Sequence, residues 1–260
     1  MDYRFLQIDF KTALSALADL VMPRVCVVCG RTLLPQERHL CLLCRSDLPL
    51  TRYEHMRDNP MSTSLNALVQ RRIDEMDVAT GSAAPEPFSY AAALYYYSGA
   101  SGYRLISQAL KYRRNFAVGC HFADMLGARL ASSTLFADVD LVVPVPLHPS
   151  RHRRRGYNQA GIIAGRVALQ LDSRCAPHLL SRIRRTRSQA HLTGEAKGSN
   201  VAGAFRSGPI PNGTRHILLI DDVYTTGATM AACIAALRSA EAQPSVPLRI
   251  SVATLAFVDR

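Results

Sequence analysis

The feature that most constrains the fold is the segment of residues 218–230. It opens with the apolar run Leu218-Leu219-Ile220 and continues into the acid pair Asp221-Asp222. The polar turn of residues 225–229 follows, and apolar residues then recur at helical spacing from Met230 to Leu237. Such an order predicts a buried strand, a ligand-binding loop and a helix. The chain is therefore expected to contain a parallel α/β sheet whose ligands bind at the carboxyl ends of the strands.

The loop of this segment has the chemistry of an anion site. Backbone N–H groups at a helix start surround a phosphate well, and Gly227 allows its close approach. The predicted phosphate site comprises Thr225, Thr226, Gly227, Ala228 and Thr229. The acid pair beside it would repel a phosphate unless it also held ribose hydroxyls or a magnesium ion. The segment thus predicts a phosphoribose site, against the simpler alternative of a solvated Asp-Asp turn before a threonine-capped helix.

Composition and the remaining pattern agree with an α/β protein. The chain has 260 residues, of which 48% are hydrophobic, so wholesale disorder is excluded. Apolar strands alternate with helical stripes from residue 91 onwards, as a sheet flanked by helices requires. The chain carries 31 Lys and Arg against 20 Asp and Glu, a net charge of +11, which favours an anionic partner. No apolar run is long enough for a membrane-spanning helix, so a cytoplasmic protein is expected.

Four cysteines form two closely spaced pairs near the N-terminus. Cys26 and Cys29 make the first pair, and Cys41 and Cys44 make the second, with eleven residues between the pairs. Each two-residue gap turns two thiolates towards one point, which is the spacing of a tetrahedral zinc knuckle. Two disulfides or four buried thiols are the alternatives, and the paired spacing favours zinc. Four thiolates leave no open position, so the predicted zinc is structural.

Two further segments supply basic residues. Residues 142–160 read VVPVPLHPSRHRRRGYNQA, an apolar strand that ends in Pro-x-Pro and is followed by clustered arginines able to clamp a pyrophosphate. Residues 182–192 read RIRRTRSQAHL and resemble a mobile cationic lid. Solvated basic turns, or a basic arm for nucleic acid, are the alternatives. Lys111 either faces the same cleft or is simply solvated at a helix end.

With these motifs the chain resembles the type I phosphoribosyltransferases, and in particular the competence protein F family. The match to the family rests on PVPLHP, RGYNQA, RTRSQAHL and LLIDDVYTTGAT in this order, preceded by the four cysteines. The resemblance implies an α/β type I phosphoribosyltransferase fold with a small zinc module. It also implies binding of 5-phosphoribosyl-1-pyrophosphate (PRPP) with magnesium, and a link to natural transformation and the handling of incoming DNA.

The resemblance also assigns roles to residues. Asp221, Asp222 and Arg151 are expected to be catalytic, with the acids on ribose and magnesium and the arginine on the leaving pyrophosphate. The expected pyrophosphate and lid residues are Pro146, Leu147, Arg155, Arg184, Arg185 and Gln189. The predicted division is an amphipathic helix at 1–24, the zinc module at 25–50, a linker at 51–89 and the phosphoribosyltransferase-like domain at 90–260.

Two functions remain open on the sequence. The first is a working phosphoribosyltransferase with an acceptor that no residue pattern identifies. The second is a non-catalytic module that senses PRPP or a nucleotide and binds single-stranded DNA, with competence or recombination proteins as partners. The absence of alternating aromatics predicts that any DNA binding is chiefly electrostatic. Dimers are common for this fold, and the sequence leaves a homodimer undecided.

Overall fold

The computed structural model describes residues 23–80, 87–184, 203–240 and 248–258, without the side chains of residues 73–80. The predicted helix at 1–24 therefore lies almost wholly outside the described residues. The strands are β1 Ala91–Tyr97, β2 Leu141–Pro144, β3 Arg174–Cys175, β4 Leu180–Arg182, β5 Phe205–Ser207, β6 His216–Tyr224 and β7 Arg249–Val258. The α-helices are α1 Leu42–Ser46, α2 Pro60–Thr80, α3 Arg104–Arg113, α4 Phe116–Ala131, α5 Pro149–Arg155, α6 Gln159–Gln170 and α7 Ala228–Arg238. A 3₁₀ turn covers Tyr53–His55.

A five-stranded sheet forms the centre of the molecule, in the order β1-β7-β6-β2-β3. Each neighbouring pair in this sheet is parallel. A separate antiparallel pair, β4 and β5, lies apart from it. Helices cover the sheet, which confirms the predicted α/β class and agrees with a type I phosphoribosyltransferase-like fold. Among the described residues, no helix is both long and apolar enough to cross a membrane.

The alternation of side chains along β6 explains why the sheet needs helices on both faces. Leu218 and Ile220 belong to one buried cluster, and Ile217 and Leu219 belong to another. Successive residues of a strand point to opposite faces, so a strand that is apolar throughout must be covered twice. The first cluster includes Ile106, Leu110, Phe122, Leu126, Ile163 and Val167 of α3, α4 and α6. The second includes Met61, Leu65, Met230, Ile234 and Leu237 of α2 and α7.

The four-cysteine module packs on the first of these faces. Its Leu33, Leu40 and Leu48 are buried in the same cluster as the α3 and α4 side chains. The Tyr103 hydroxyl donates to the Cys44 carbonyl at 3.2 Å, which ties the module to the start of α3. The module is thus anchored to the sheet domain by apolar burial and by this hydrogen bond.

The stretch predicted as a linker at 51–89 contains the 21-residue helix α2. Asn59 caps it, because its Oδ1 accepts from the amides of Met61 at 3.0 Å and Ser62 at 2.9 Å. The fully buried Met61 and Leu65 then hold the helix on the sheet, and each such burial contributes about 1.5–3 kcal/mol. Two features of the sequence favour this helix: an Asn-Pro start and apolar residues spaced four apart. The polar residues around them made this pattern hard to recognise. The division into domains stays a prediction, but this part of it is helical.

A buried histidine joins β6 and β7 at the end of the sheet where the strands begin. His216 Nδ1 lies 2.7 Å from Asp138 Oδ1, and its Nε2 lies 2.8 Å from Ser251 Oγ. The order Asp-His-Ser resembles a catalytic triad, yet Ser251 is 0% exposed and His216 only 1%. No substrate could reach this serine, so the three residues are a structural link. Burial lowers the pKa of His216 below its ordinary value of 6.5.

We expect His216→Gln to lower the unfolding free energy of the protein. We also expect the substitution to make that free energy less dependent on pH. A depressed histidine pKa means that the unfolded chain binds the extra proton more readily, so this contribution is complete above about pH 6.5 and is lost as the pH falls below it. The variant should lose about 1–3 kcal/mol at pH 8 from broken buried hydrogen bonds. Its unfolding free energy should also fall less than wild type between pH 8 and pH 5.5, measured by urea titration with circular dichroism. The exposed His178→Gln provides the control, and parallel curves for wild type and His216→Gln would contradict the assignment.

Candidate functional site

The acid pair lies near the carboxyl end of β6, where the sequence predicts it. Asp222 is 3% exposed and Asp221 is partly buried. The amide of Asp222 donates to Asp221 Oδ1 at 2.8 Å, which orients the first carboxylate. Burial, followed by the charge of Asp222, raises the pKa of Asp221 above its ordinary value. The pair therefore gains from any ligand that donates hydrogen bonds or positive charge to it.

Gly227 shapes the loop between this strand and α7. It adopts a φ of 75°, in the left-handed region, and precedes the first residue of the helix. A Cβ at this position would lie 2.2 Å from the Tyr224 hydroxyl oxygen, so a larger residue does not fit. Leu68 of α2 closes the same space, since the added Cβ would be 3.0 Å from its Cδ1. The loop thus brings the Thr-rich turn to the N-terminus of an eleven-residue helix, a position that favours anions.

The Pro-x-Pro segment runs beside this loop from the end of β2. The Val145 amide donates to the Ile220 carbonyl at 2.8 Å, so the segment continues along β6. The Val145 carbonyl in turn accepts from Asn158 Nδ2 at 3.0 Å. Asn158 Oδ1 also accepts from the Ala160 amide at 3.2 Å and so caps α6. The asparagine of the RGYNQA motif therefore positions the segment and does not face a ligand directly.

Gly156 and Tyr157 of that motif are also structural. Gly156 has a φ of 82° and ends α5, where a left-handed residue is needed. The Tyr157 hydroxyl donates to the Leu110 carbonyl and links this turn to α3. Together with Asn158 they fix α5, and with it Arg151 and Arg155, beside the carboxyl end of the sheet. The motif explains how the arginines are placed.

Three arginines approach the site from two segments. Arg155 donates to Gln159 Oε1 at 2.9 Å, and its guanidinium lies 5.5 Å from the centre of the Tyr112 ring. Arg182, from β4, stacks 5.1 Å from the Phe205 ring centre. Burial and then the nearby charge of Arg151 lower the pKa of Arg182. A bound anion would relieve this repulsion between two guanidiniums.

Lys111 approaches the acid pair from the last turn of α3. Its Nζ lies 3.1 Å from Asp222 Oδ2, with the two side chains 27% and 4% exposed. The charge of Asp222 raises the pKa of Lys111, against the opposing effect of burial. From the sequence, Lys111 could either face the cleft or be solvated at the end of a helix. The structure places it in the cleft. The same contact means that Asp222 already has a cation, so the predicted magnesium ion between the two acids is not supported.

These groups line one cleft of about 340 Å³. It gathers the predicted residues Asp221, Asp222, Thr225, Thr229, Pro146, Leu147, Arg151 and Arg155. The predicted residues Thr226, Gly227 and Ala228 line a smaller adjoining cavity that shares Asp221, Thr225 and Thr229 with the cleft. The cleft also contains residues that were not predicted as site residues: Tyr97, Ser107, Gln108, Lys111, Tyr112, Val145, Gln159, Arg182 and Val223.

The predicted lid residues Arg184, Arg185 and Gln189 are not among the residues that line the cleft in the described part of the chain. Arg184 is exposed beyond β4 and is not among the residues that line the cleft. Arg185 and Gln189 lie outside the described residues. Arg182, two positions earlier, reaches the cleft instead because it belongs to β4 and its ring partner Phe205 lies on β5. The signal was present in the same basic segment, but sequence spacing alone could not say which arginine the strand would turn inward.

The four cysteines come together as their spacing predicts. The sulfur atoms of Cys26, Cys29, Cys41 and Cys44 all lie within 4.8 Å of one another, and they are free thiols. Gly30 follows the first pair with a φ of 74°, which the tight knuckle turn requires. Burial acts to raise the pKa of Cys26, but hydrogen bonds from the backbone of Cys29 and Cys41 outweigh it and lower the pKa to about 7. Burial and hydrogen bonds with the other three cysteines raise the pKa of Cys44. A four-cysteine cluster of this size is compatible with structural zinc.

Known proteins resemble parts of this chain. It is 32% identical over 130 residues to the DNA utilization protein YhgH of Salmonella typhi, which is 49% of this chain and 57% of the relative. It is 36% identical over 92 residues to the protein of that name from Escherichia coli K12, covering 35% of this chain and 40% of the relative. It is 28% identical over 131 residues to competence protein F of Haemophilus influenzae, covering 48% of this chain and 57% of the relative.

The chain spans about half the length of each of these relatives. No family model matches the chain. One of these relatives is named competence protein F, the family that the motif order resembles, and the parallel sheet with its four-cysteine cluster agrees with that resemblance. Over about half of its length, the chain is similar to competence protein F and to the DNA utilization proteins.

Proposed function

We propose that this protein binds PRPP in the cleft and transfers its phosphoribosyl group to an acceptor. The observation that carries the proposal is the meeting of an acid pair, a threonine-rich helix start and two arginine segments in one cleft. A sugar phosphate that also bears a pyrophosphate needs these three kinds of group at once. A cleft for a simple anion would not need the buried carboxylates.

In the proposed arrangement, each part of PRPP meets a different element. The 5-phosphate lies on residues 225–229 at the start of α7, where amides and hydroxyls donate. The ribose hydroxyls donate to Asp221 and Asp222. The pyrophosphate lies by Arg151, Arg155 and Arg182, and we place the predicted magnesium ion on the pyrophosphate and not on the acids.

The transfer breaks the bond between C1′ and the pyrophosphate oxygen, and the electron pair leaves with pyrophosphate. A lone pair of the acceptor forms the new bond to C1′, and the acceptor's proton is released. The arginines would stabilise the charge that accumulates on the leaving group, while the acid pair fixes the sugar. Among the cleft-lining residues described, none is a dedicated base for one acceptor class, so the acceptor is left open.

The names of the relatives guide the proposed cellular role. Relatives are called DNA utilization protein and competence protein, and we propose that this chain likewise acts in the use of incoming DNA. Competence or recombination proteins would then be its partners in the cytoplasm. We propose a homodimer only as the arrangement common to the predicted fold.

A second candidate is a PRPP or nucleotide sensor that also binds single-stranded DNA without turnover. The observation that favours it is an exposed basic surface, which we define as Arg113, Arg114, Arg153 and Arg154. Arg114 donates to the Arg155 carbonyl at 3.1 Å, so the ends of α3 and α5 meet and their arginines form one surface. A phosphate backbone would neutralise it.

Isothermal titration calorimetry tests the main proposal. Zinc-loaded protein should bind PRPP, and Thr229→Val or Asp222→Asn should weaken binding about tenfold or more, because each removes a hydrogen-bonding partner of the ligand. Thr63→Val makes the same change on an exposed part of α2 and should leave affinity unchanged. Failure to bind either PRPP or ribose 5-phosphate would refute the proposal, and binding without pyrophosphate release would favour the sensor.

The four-cysteine cluster is proposed to hold one structural zinc ion per chain. Plasma mass spectrometry should find about one zinc ion per chain, and Cys41→Ser should lose it and lower the melting temperature. Cys175→Ser is the matched control because Cys175 is exposed and lies outside the cluster. A full-length wild-type protein without stoichiometric zinc would contradict the proposal.

Single-strand binding has a salt signature. Anisotropy of a labelled oligothymidine should show affinity falling with ionic strength, and the double variant Arg153→Met, Arg154→Met should reduce the slope by about 1.4, at about 0.7 per phosphate contact. The control is Arg174→Met with Arg215→Met, two exposed arginines where the sheet strands begin. Binding that is absent, or that is equally affected by both pairs, would remove the second candidate.

A further inference from the structure

Lys111 is held in the cleft by the packing of its helix. The neighbouring residues Ile106, Ala109 and Leu110 of α3 are buried in the sheet-facing cluster. The Leu110 carbonyl also accepts from the Tyr157 hydroxyl, which fastens the last turn to the RGYNQA motif. Arg114 then ends the helix in a left-handed conformation with a φ of 53°. The lysine is therefore a fixed part of the cleft wall.

The lysine meets the more buried of the two acids. Its ammonium nitrogen lies 3.1 Å from Asp222 Oδ2, and the Asp222 side chain is only 4% exposed. The lysine charge also acts on Asp221. It opposes the rise in the Asp221 pKa that burial and the charge of Asp222 produce. The two acids are the only carboxylates among the described residues that line the cleft. Lys111 thus supplies the cation that two adjacent carboxylates need.

A divalent cation would have to compete with this ammonium group. Magnesium is held in proteins through carboxylate oxygens and keeps several waters in an octahedral shell. Asp222 offers one buried oxygen that is already ion-paired, and Asp221 is oriented by the Asp222 amide. A metal placed beside Asp222 would also meet the repulsion of the lysine charge a few ångströms away.

We propose that the ammonium group of Lys111 takes the place of a divalent cation at the acid pair, so that the protein alone binds no metal there. Any metal then enters as its complex with the pyrophosphate of PRPP. Lys111 is a positioning residue in this scheme, because it acts through Asp222 and keeps that carboxylate directed at the ribose. The first statement, that the free protein binds no metal at the acid pair, stands without the proposed function. The second statement, that any metal enters together with PRPP, rests on the proposed function.

Mn²⁺ binding measured by electron paramagnetic resonance tests the first statement. With zinc-loaded wild-type protein and no PRPP, the signal of free Mn²⁺ should persist. Lys111→Met keeps the length of the side chain but removes its charge, and should increase Mn²⁺ affinity about tenfold or more. Adding Asp222→Asn to this variant should abolish the gain, which a merely structural role of Lys111 would not predict.

Arg113→Met is the matched control for the loss of one positive charge. It lies two residues from Lys111 on the same helix, is exposed, and should leave Mn²⁺ affinity at the wild-type level. The proposal is overturned if wild-type protein binds one Mn²⁺ per chain as tightly as Lys111→Met, or if Lys111→Met gains nothing. Should Lys111→Met fail to fold by circular dichroism, the wild-type titration and Lys111→Gln decide the matter in the same way.

The second statement has its own readout. In wild-type protein, bound Mn²⁺ should appear when PRPP is added and should disappear in Thr229→Val, in which the phosphate loop is weakened. Bound Mn²⁺ without PRPP would overturn the inference but leave PRPP binding intact. Failure of PRPP to bind in calorimetry would refute the proposed function, while the metal titration of the free protein would still test the lysine.

Discussion

The pairing of β6 with β2 on one side and β7 on the other is the constraint on which the site depends. β7 pairs with β6 from His216 to Tyr224, and β2 pairs with it from Ile217 to Ile220. This pairing leaves the apolar side chains of β6 no place except the two helix-covered faces. The strand therefore delivers Asp221 and Asp222 to one edge of the sheet with little freedom. Because a buried acid pair is costly unless it is compensated, the rest of the cleft supplies positive charge around it.

That compensation comes from elements that are distant in the sequence. Lys111 reaches the pair from α3, and Arg151 and Arg155 come from α5. The turn of residues 156–158 serves both, since the Tyr157 hydroxyl bonds the end of α3 while Asn158 holds the Pro-x-Pro segment. Substitutions in this turn should therefore disturb cleft geometry without removing any ligand-contacting group.

Prediction from the sequence succeeded where chemistry is local. The four cysteines, the strand β6 and the threonine-rich turn before α7 each lie in a short stretch whose spacing specifies the local geometry, and the structure has that geometry. Phosphate binding by the turn stays a prediction. Prediction was less successful where a side chain's exposure depends on how a strand or helix packs against its neighbours. Arg184 is exposed while Arg182 lines the cleft, and helix α2 was concealed in a stretch predicted as a linker. Local pattern does not encode which neighbour is buried.

The sequence by itself determined the α/β class, the four-cysteine cluster, and the acid pair followed by a threonine-rich helix start. Each follows from residue types at short spacing, through the periodicity of strands and helices and the reach of side chains within a turn. Only the tertiary structure decided that Lys111 pairs with Asp222, that Arg182 and not Arg184 lines the cleft, and that His216 is a buried link. The physical reason is that burial and ion pairing depend on distances between segments, which exist only once the helices have packed on the sheet.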